Sequence, residues 1–546
     1  MSMSSTFLKK IAAGAALLFM LQAARANNVQ ITNLTVVNST TLRFDLSWEN
    51  SWRVSYSSTY DSYDGVYVFF KYRPAGGTTP FLPIKYLAAT NNLPSGFSAT
   101  VPGSEIGEFI FPSTAYTGSP NLTNLTVVLS KPLPFDVDVR AYAIEMVYVA
   151  GTQSAFGLGP AFYVGDGNGS LESARAFHSA DNRSLIPSQE VLKADVGNYF
   201  EYDDNYLTSV GISFPSAEGY GITWGATANY GYPNGFSPFW AMKYEITQAG
   251  YRDFLNSLSL DQQGSRIALT ATSIIIPGAI AGMSAFGSGN RNYIELKTPG
   301  NATDGTPAVF GCDADGNNVW DEASDGEWVA CNMLSYEDIY AWLDWVGLVF
   351  MTELQFEKLA RGMNQPAKFG EYAWGSTSIF TPPGNAYTLT NPSASNEVAN
   401  ASATLGNANY VNSAPSGNDQ GPLRNGIFGT ANSTRTTSGA SFYGAMELSG
   451  NVTELCVSIG NDVSRAYGGS MFNLSDGQLT LNGSGNFIFP ALNDLQMPLL
   501  FIYRGGSYGS TPEKLRISDR SGGFPSAIPE RSPYNGGRGV FNLPSN

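Results

Sequence analysis

The sequence contains few of the side chains that most enzymes use for chemistry at neutral pH. It has one histidine, His178, and three cysteines, Cys312, Cys331 and Cys456, in 546 residues. A triad of serine, histidine and aspartate would have to use His178, and nothing near it in the sequence supports such a site. Its loop-like surroundings instead indicate a side chain without a chemical role.

Charged residues are also scarce, and the balance between them is acidic. They make up 14% of the chain, with 45 acidic against 30 basic residues and a net charge of −15. This argues against a nucleic-acid partner, because binding to phosphates requires basic patches that replace counterions. Acidity of this kind would tolerate bound cations, but it is equally explained by a contribution to solubility.

Apolar runs long enough to span a membrane are absent, and the N-terminal region contains one shorter apolar run. Two lysines at 9–10 precede an apolar segment at 11–21, and Ala-Arg-Ala follows at 24–26. This pattern predicts a signal peptide over 1–26, a mature chain that begins at Asn27, and a secreted or cell-surface protein. No later segment reaches the ~18 apolar residues of a membrane-spanning helix, so no transmembrane segment is expected.

The region 27–143 is rich in β-strand patterns and carries no chemical motif. Apolar and polar residues alternate or nearly alternate in short runs that Gly, Pro, Asn and Ser clusters separate; these runs are 29–37, 42–48, 66–72, 125–129 and 137–142. This spacing predicts a β-sandwich domain of the immunoglobulin or fibronectin type, with a structural role.

The region 144–546 has a different pattern, in which helices alternate with long Gly- and Asn-rich segments. Helices are predicted over 247–258, 335–345 and 352–361, each with a Thr or Ser at its start. Ser335 and Asp338 have the spacing of a capping box. The whole chain is therefore predicted to be α+β.

Eight short sequence blocks between residues 239 and 540 form a series. In chain order they are FWAMKYEIT (239–247), LSYED (334–338), WVGLVFMTELQFE (345–357), YAWG (372–375), MELSGNVTE (446–454), RGGS (504–507), LR (515–516) and GRGV (537–540). Together and in this order they resemble the formylglycine-generating enzyme, or sulfatase-modifying factor, family. LSYED corresponds to a helix start of that family, WVGLVFMTELQFE resembles its WAG-x-R-x-P-TE-x-E-W-E pattern, and MELSGNVTE resembles its Ser-Gly-Asn-Val-Trp-Glu-Trp pattern. The resemblance covers about 144–546 and implies a C-type-lectin-like fold of the formylglycine-generating subtype.

The chain departs from this family at the positions that carry its chemistry. In the active enzymes the RGGS segment leads into two copper-binding cysteines, and here those positions fall on Ser510 and Leu515. A thiolate is the soft ligand that Cu(I) prefers, and leucine has no ligand atom. Related iron enzymes need three histidines, whereas this chain has only His178. Neither copper nor iron is therefore expected.

The resemblance also implies calcium, which prefers oxygen ligands. The positions that correspond to one family site are Glu447, Gly450, Val452 and Glu454, and those of a second are Asn409, Tyr410, Asp419 and Gly421. The first set would supply two carboxylates and two backbone carbonyls. The alternative for this segment is an ordinary turn with two solvated glutamates.

A further acidic stretch resembles the first part of a calcium loop. The spacing of its oxygen-bearing side chains is suitable at Asp313, Asp315, Asn317 and Asp321. The twelfth residue of such a loop, counted from Asp313, should be acidic, but here it is Ser324. The alternative is an ordinary loop of Asx turns that Cys312 and Cys331 hold.

The cysteines Cys312 and Cys331 flank this stretch. In an exported protein they are predicted to form a disulfide. Cys456 would then be a buried, inert thiol.

These observations favour an exported pseudoenzyme that binds a surface ligand, either a protein or a glycan, or that assembles with itself. The chain would combine the β-domain with a calcium-stabilised domain of the family fold. The alternative is a divergent oxidoreductase that uses Cys456 with another residue. A polar cleft around Ser510, Leu515 and Cys456 would favour remaining chemistry, whereas a filled core would favour binding alone.

Overall fold

The computed structural model describes most of the chain between Asn28 and Leu543. The described residues are 28–57, 60–151, 162–164, 184–186, 233, 235–268, 283–287, 289–363, 365, 367–411, 421–458, 476–479, 481–482, 486–487, 501–519 and 530–543. The predicted signal peptide, His178 and Asp419 lie outside them.

A four-stranded antiparallel sheet forms one side of the N-terminal region. Its strands are β1 (Gln30–Asn38), β2 (Thr41–Ser47), β6 (Tyr86–Asn91) and β10 (Asn121–Leu129), in the order β1-β2-β10-β6. One face of β2 and β10 is apolar because buried and more exposed residues alternate along both strands.

A ten-stranded sheet extends from the N-terminal region into the rest of the chain. Its strands are β3 (Ser51–Ser57), β4 (Tyr60–Pro74), β5 (Leu82–Pro83), β7 (Phe97–Thr100), β8 (Gly107–Pro112), β9 (Tyr116–Gly118), β11 (Val137–Val149), β14 (Phe239–Met242), β18 (Val349–Phe350) and β26 (Gly539–Asn542). The main path is β18-β26-β14-β11-β4-β3-β9. Each of the five strand runs predicted in 27–143 overlaps an observed strand.

The side chains of the two sheets share one apolar core. This core includes Leu42, Phe44 and Leu46 from β2, Val66, Val68 and Phe70 from β4, and Leu125 and Val127 from β10. The sandwich prediction is consistent with this packing. The boundary predicted at 143/144 falls inside β11, which continues without a break to Val149.

A buried charge cluster holds β4, β11 and the residue after β14 together. The Lys243 ammonium lies 2.9 Å from the Glu145 carboxylate and 3.2 Å from the Asp64 carboxylate. Asp64 also accepts a hydrogen bond from the Ser51 hydroxyl at 2.6 Å. The N-terminal strands and the first family block are therefore joined by both backbone pairing and ion pairs.

The described residues form five helices, of which the first, third and fourth begin where the sequence predicts them. They are α1 (Gln248–Leu255), α2 (Leu260–Gln263), α3 (Tyr336–Val346), α4 (Glu353–Arg361) and α5 (Arg435–Ser438), with 3-10 turns at Pro383–Asn385 and Pro512–Leu515. Thr247, Ser335 and Thr352 each cap a helix by accepting a backbone N–H hydrogen bond, and Ser335 with Asp338 forms the predicted capping box. In the described part of the chain, no helix combines the length and apolar character needed to cross a membrane.

The remaining strands form small sheets. They are β12 (Phe162–Val164) with β13 (Ser184–Ile186), β15 (Met283–Ser284) with β16 (Ile294–Thr298) and β17 (Val309–Cys312), β19 (Leu389–Thr390) with β20 (Val398–Ala399), β22 (Leu481–Asn482) with β23 (Asn486–Phe487), and β24 (Phe501–Arg504) with β21 (Thr453–Val457) and β25 (Asn535–Gly536). The last of these sheets carries the segments that the family resemblance singles out. The described structure as a whole is rich in sheet, with few helices.

Candidate functional site: a polar groove and two acidic clusters

The RGGS segment is anchored to helix α4 by a buried ion-pair network. Arg504, at the end of β24, lies 2.8 Å from Glu357 and 3.1 Å from Glu353, and all three side chains are fully buried. Arg361 contacts the other oxygen of Glu357 at 2.8 Å and Glu371 at 2.6 Å. The two glutamates of the MTELQFE segment therefore fix where the chain leaves β24.

Beyond this anchor the chain forms one wall of an open groove with a volume of about 360 Å³. The groove is lined mainly by hydroxyl, amide and glycine residues, and its side chains include Thr453, Tyr503, Ser507, Ser510, Thr511, Lys514, Asp519, Tyr534 and Asn535. Tyr534 is 41% exposed at this groove. The lining is thus polar and carries one charged group of each sign.

The two positions that correspond to the copper-binding cysteines have opposite environments. Ser510 lines the groove, and its hydroxyl accepts a hydrogen bond from the Ser507 backbone N–H at 2.9 Å. Leu515 is fully buried and packs with Tyr372, Trp374 and Tyr410. Their side chains do not face a common cavity.

Residues 505–509 match the Gly-x-Ser-x-Gly spacing of hydrolase nucleophile turns, but their surroundings differ. Ser507 is only 3% exposed, and its hydroxyl lies 3.3 Å from that of Ser510. The nucleophile turn of hydrolases leads directly into a helix, whereas here the next helical turn is the short Pro512–Leu515. The match therefore does not indicate a nucleophile.

Cys456 lies in a filled core and not in the groove. It sits in the middle of β21, fully buried, and packs with Phe356, Ile502 and Val540. Burial, followed by the nearby Glu454 carboxylate, raises the pKa of its thiol well above the ordinary value. Because the thiolate is the reactive form, this environment is that of an inert cysteine.

The segment 446–454 forms a tight turn that packs against Asn409. Gly450 has a φ of +97°, and a Cβ atom there would lie 2.5 Å from the Asn409 carbonyl oxygen. The Asn451 N–H donates to the same carbonyl at 2.9 Å. Glycine is therefore required at 450, and the turn brings the two family-like calcium segments together.

Glu454 is fully buried, and Glu447 is partly buried with its Oε2 atom inaccessible to solvent, so they are not the solvated glutamates of the alternative interpretation. Glu447 accepts a hydrogen bond from the Gly426 N–H at 2.7 Å, and Glu454 accepts one from Arg538 at 2.9 Å. The second carboxylate oxygen of each has no hydrogen-bond partner within the described residues. Burial raises the pKa of Glu447 to about 7.

A third glutamate, Glu245, which the sequence pattern did not single out, is buried beside these two. Glu245 accepts hydrogen bonds from the Asn451 side chain at 2.6 Å and from the Val452 N–H at 3.0 Å. Burial, followed by the Glu447 carboxylate, raises its pKa well above the ordinary value. Glu245 belongs to the family-like block FWAMKYEIT, and this membership could have marked it as a candidate site residue. Only the tertiary fold shows that its carboxylate reaches the Val452 N–H.

The second family-like set is only partly brought together. The Asn409 side chain donates to the Gly421 carbonyl at 3.1 Å, and its own carbonyl oxygen Oδ1 is buried without a partner in the described residues. Asn409, Glu447 and Asn451 line a small cavity of about 10 Å³. The Tyr410 hydroxyl instead lies 2.7 Å from that of Thr381.

The acidic stretch at 313–321 folds as a loop, and it brings part of the predicted ligand set together with a further aspartate. Asp313, Asp315 and Asp325 place carboxylate oxygens within 4.8 Å of one another, the only such acidic trio in the described residues. Burial raises the pKa of Asp325 to about 6, and Asp315 and Asp313 add to the shift. Asn317 stays beside the trio because its side chain donates to Asp315 at 3.1 Å.

Asp321 does not join the trio and is held by other partners. Its carboxylate accepts hydrogen bonds from the Cys312 N–H at 3.0 Å and from Arg252 at 2.8 Å, and it lies 3.2 Å from Lys297. Two cationic side chains and one N–H donor therefore engage the Asp321 carboxylate. The sequence spacing alone could not reveal Arg252, which is on helix α1.

Cys312 and Cys331 are free thiols in this structure, and both are fully buried in the same apolar core. Burial raises the pKa of Cys331, and the proximity of Cys312 adds to this shift. The two cysteines lie in one core without a bond between them, so the disulfide stays a prediction.

A comparison with protein families identifies the fold type. The family described as the sulfatase-modifying factor enzyme 1-like domain matches residues 232–534. A comparison with curated proteins finds no match. Because the match covers more than half of the chain and includes β14, the capped helices, the turn at Gly450 and the groove at Ser510, the chain belongs to the sulfatase-modifying factor family.

Proposed function

We propose that this chain is a non-catalytic, exported member of the family that binds a surface ligand in the groove at Ser510. The observation that carries the proposal is the contrast between Ser510, which lines an open groove, and Leu515, which fills a core. The recognition surface is kept in place while the pair of metal ligands is absent.

The chemistry of the groove supports binding without turnover. A hydroxyl and an aliphatic side chain cannot replace two thiolates as ligands of Cu(I). The Ser510 hydroxyl is engaged by the backbone N–H of Ser507, and the reactive alternative, Cys456, is buried in strand β21. None of the residues that line the groove has a thiolate, which the copper-dependent oxidation of the active enzymes requires.

The composition of the groove favours an uncharged polar ligand. Tyr534 offers an exposed aromatic surface, Ser510, Thr511 and Asn535 offer hydrogen-bonding groups, and the charges of Lys514 and Asp519 are opposite. Tyr, Ser, Gly and Asn are the residues that antibody loops use for adaptable recognition. A protein segment, a glycan or a second copy of this chain could present such a ligand.

In this proposal calcium has a structural role. Glu447, Glu454 and the carbonyls of Gly450 and Val452 would hold it, and the buried oxygens without partners fit a cation with oxygen ligands. Glu245 does not belong to a compact acidic trio with them. The ion would stabilise the turn at Gly450, which leads into β21, and it would have no catalytic role.

The first experiment separates this proposal from the divergent oxidoreductase. Purified protein is incubated with Cu(I) under reducing conditions, and then bound copper and oxidation of a cysteine-containing sulfatase peptide are measured. We expect neither stoichiometric copper nor peptide turnover. Copper bound one to one together with turnover would refute the non-catalytic proposal.

The second experiment tests the groove itself. The protein is applied to an array of glycans and to a phage library of short peptides, and its self-association is measured by sedimentation velocity. Ser510→Tyr fills the groove, and Ala403→Tyr adds the same side chain at an exposed position outside the lining. Binding by the wild type should fall at least tenfold in Ser510→Tyr only, and an equal effect of both variants would contradict the proposal.

Export is tested separately by sequencing the N-terminus of protein released from a secreting host. The expected first residue is Asn27. Retention of the complete N-terminal segment in that host would contradict export.

A further inference from the structure

The loop between Cys312 and Asp325 combines three acidic side chains around one point. Asp313 and Asp325 are buried, Asp315 is exposed, and their carboxylate oxygens lie within 4.8 Å of one another. Three carboxylates repel each other at this distance unless a cation neutralises them. None of the ion pairs of the described residues uses any of the three, so the structure supplies no cationic side chain for this role.

Asp325 provides the second, independent observation. It is fully buried, and its Oδ2 atom accepts a hydrogen bond from the Glu322 N–H at 2.7 Å. Its Oδ1 atom is buried with no hydrogen-bond partner among the described residues. A buried carboxylate oxygen without a donor is costly, and it is the kind of atom that a metal ion satisfies.

The loop backbone holds the other carboxylates in place in advance. The Asn317 and Asn318 N–H groups donate to Asp313 at 3.2 and 2.9 Å, and the Asn317 N–H also donates to Asp315 at 3.1 Å. Asn318 has a φ of +62° at the sixth position from Asp313, where calcium loops need a residue that turns sharply. The oxygens are therefore fixed before any ion arrives.

We propose that this loop is a calcium site whose ligands are Asp313, Asp315 and Asp325. Asp325 thus supplies the acidic group that the twelfth position, Ser324, lacks. The site is separate from the turn at Gly450, and it does not depend on the proposed function of the groove. Hard, all-oxygen ligation selects Ca²⁺ over softer transition metals.

Tb³⁺ and Ca²⁺ are the probes for the test, and the full chain is used. Tb³⁺ takes the same oxygen ligands, and Trp320 lies inside the loop, so excitation of tryptophan should produce terbium luminescence that Ca²⁺ displaces. Two substitutions separate the structural ligand set from the one that the sequence spacing suggested. These are Asp325→Asn, which removes the negative charge of a proposed ligand, and Asp321→Asn, which changes a residue that contacts Arg252 instead.

We expect Asp325→Asn to lower the affinity of the loop for Tb³⁺ at least tenfold and to reduce the number of bound ions by one. Asp321→Asn should keep the wild-type affinity within about a factor of two. Absence of a displaceable signal in the wild type, an unchanged Asp325→Asn, or an equal loss in Asp321→Asn would overturn the proposal.

A variant at an exposed ligand protects the test against a folding defect. Asp315 is exposed, so Asp315→Asn should fold even if the buried Asp325→Asn does not. Circular dichroism melting without metal verifies the fold of each variant. Asp315→Asn should also lose at least tenfold in Tb³⁺ affinity, and wild-type affinity in this folded variant would overturn the proposal.

Discussion

The Arg504 guanidinium lies 2.8 Å from the Glu357 carboxylate, and neither side chain is accessible to solvent. The pair joins the RGGS segment to helix α4 across 147 positions of the sequence. Because Tyr503 and Gly506, on either side of Arg504 in the chain, both line the groove, this ion pair determines where the groove wall starts. The geometry of the groove thus depends on residues that do not line it.

Replacing Arg504 with methionine should destabilise the protein strongly. The substitution leaves Glu353 and Glu357 buried without this cation, and loss of one partner of a buried pair costs about 3–5 kcal/mol. Chemical denaturation measures the loss. Arg53→Met, which removes a partly exposed partner of Asp61, is the control and should cost less, because solvent reaches this pair. Equal losses would show that the Arg504 network does not stabilise the fold.

Glu108 predicts a pH dependence of stability. It is fully buried on β8 and accepts hydrogen bonds from the Thr90 N–H and hydroxyl, and burial raises its pKa to about 7. In the unfolded chain its pKa is about 4.3. Between these values the folded protein binds the extra proton, so the contribution of Glu108 to the free energy of unfolding falls as the pH rises.

Glu108→Gln should therefore be more stable than the wild type at pH 8, by up to roughly 3 kcal/mol. The difference should shrink to near zero below about pH 4, because both side chains are then largely uncharged in the folded and unfolded states. Denaturation at a series of pH values measures it. A difference that does not vary with pH would contradict the assignment to Glu108.

Calcium should stabilise the protein through the turn at Gly450, and chelator should remove this stabilisation. At a concentration about 100 times its dissociation constant, a ligand of the folded state adds about 2.7 kcal/mol. Glu454→Ala should lower stability in calcium and abolish the gain from calcium. Arg538 also loses its partner in this variant, so the difference between calcium and chelator is the relevant quantity.

This experiment is performed in an Asp325→Asn background, in which the loop binds calcium at least tenfold more weakly. Glu397→Ala, which breaks the buried pair with Arg291, serves as the control and should keep the calcium gain. Identical melting of the background protein with and without chelator would rule out a stabilising calcium site at Glu454.

A disulfide between Cys312 and Cys331 is predicted in protein from an oxidising compartment. Both thiols lie in one apolar core, and closure of a loop of about 20 residues is worth roughly 3 kcal/mol in the chain-entropy model. Non-reducing peptide mapping detects the bond. A peptide that joins Cys456 to either cysteine, or three free thiols, would show that this pairing is wrong.

The sequence by itself determined the local structure and the family. The caps at Thr247, Ser335 and Thr352 involve hydrogen bonds between residues three apart, so their pattern is visible in the sequence. Strand alternation in 27–143 and the ordered blocks in 239–540 are local signals of the same kind. The substitutions at Ser510 and Leu515 also needed only the sequence.

Tertiary structure decided which side chains meet. The pattern at 313–321 suggested Asp321, but Arg252 from helix α1 binds it, and Asp325 takes a place beside Asp313 instead. Glu245 accepts a hydrogen bond from the Val452 N–H in the turn at Gly450, although the two residues are 207 positions apart in the sequence. Such encounters depend on how distant segments pack, because burial and pairing of charges are properties of the assembled core and not of spacing along the chain.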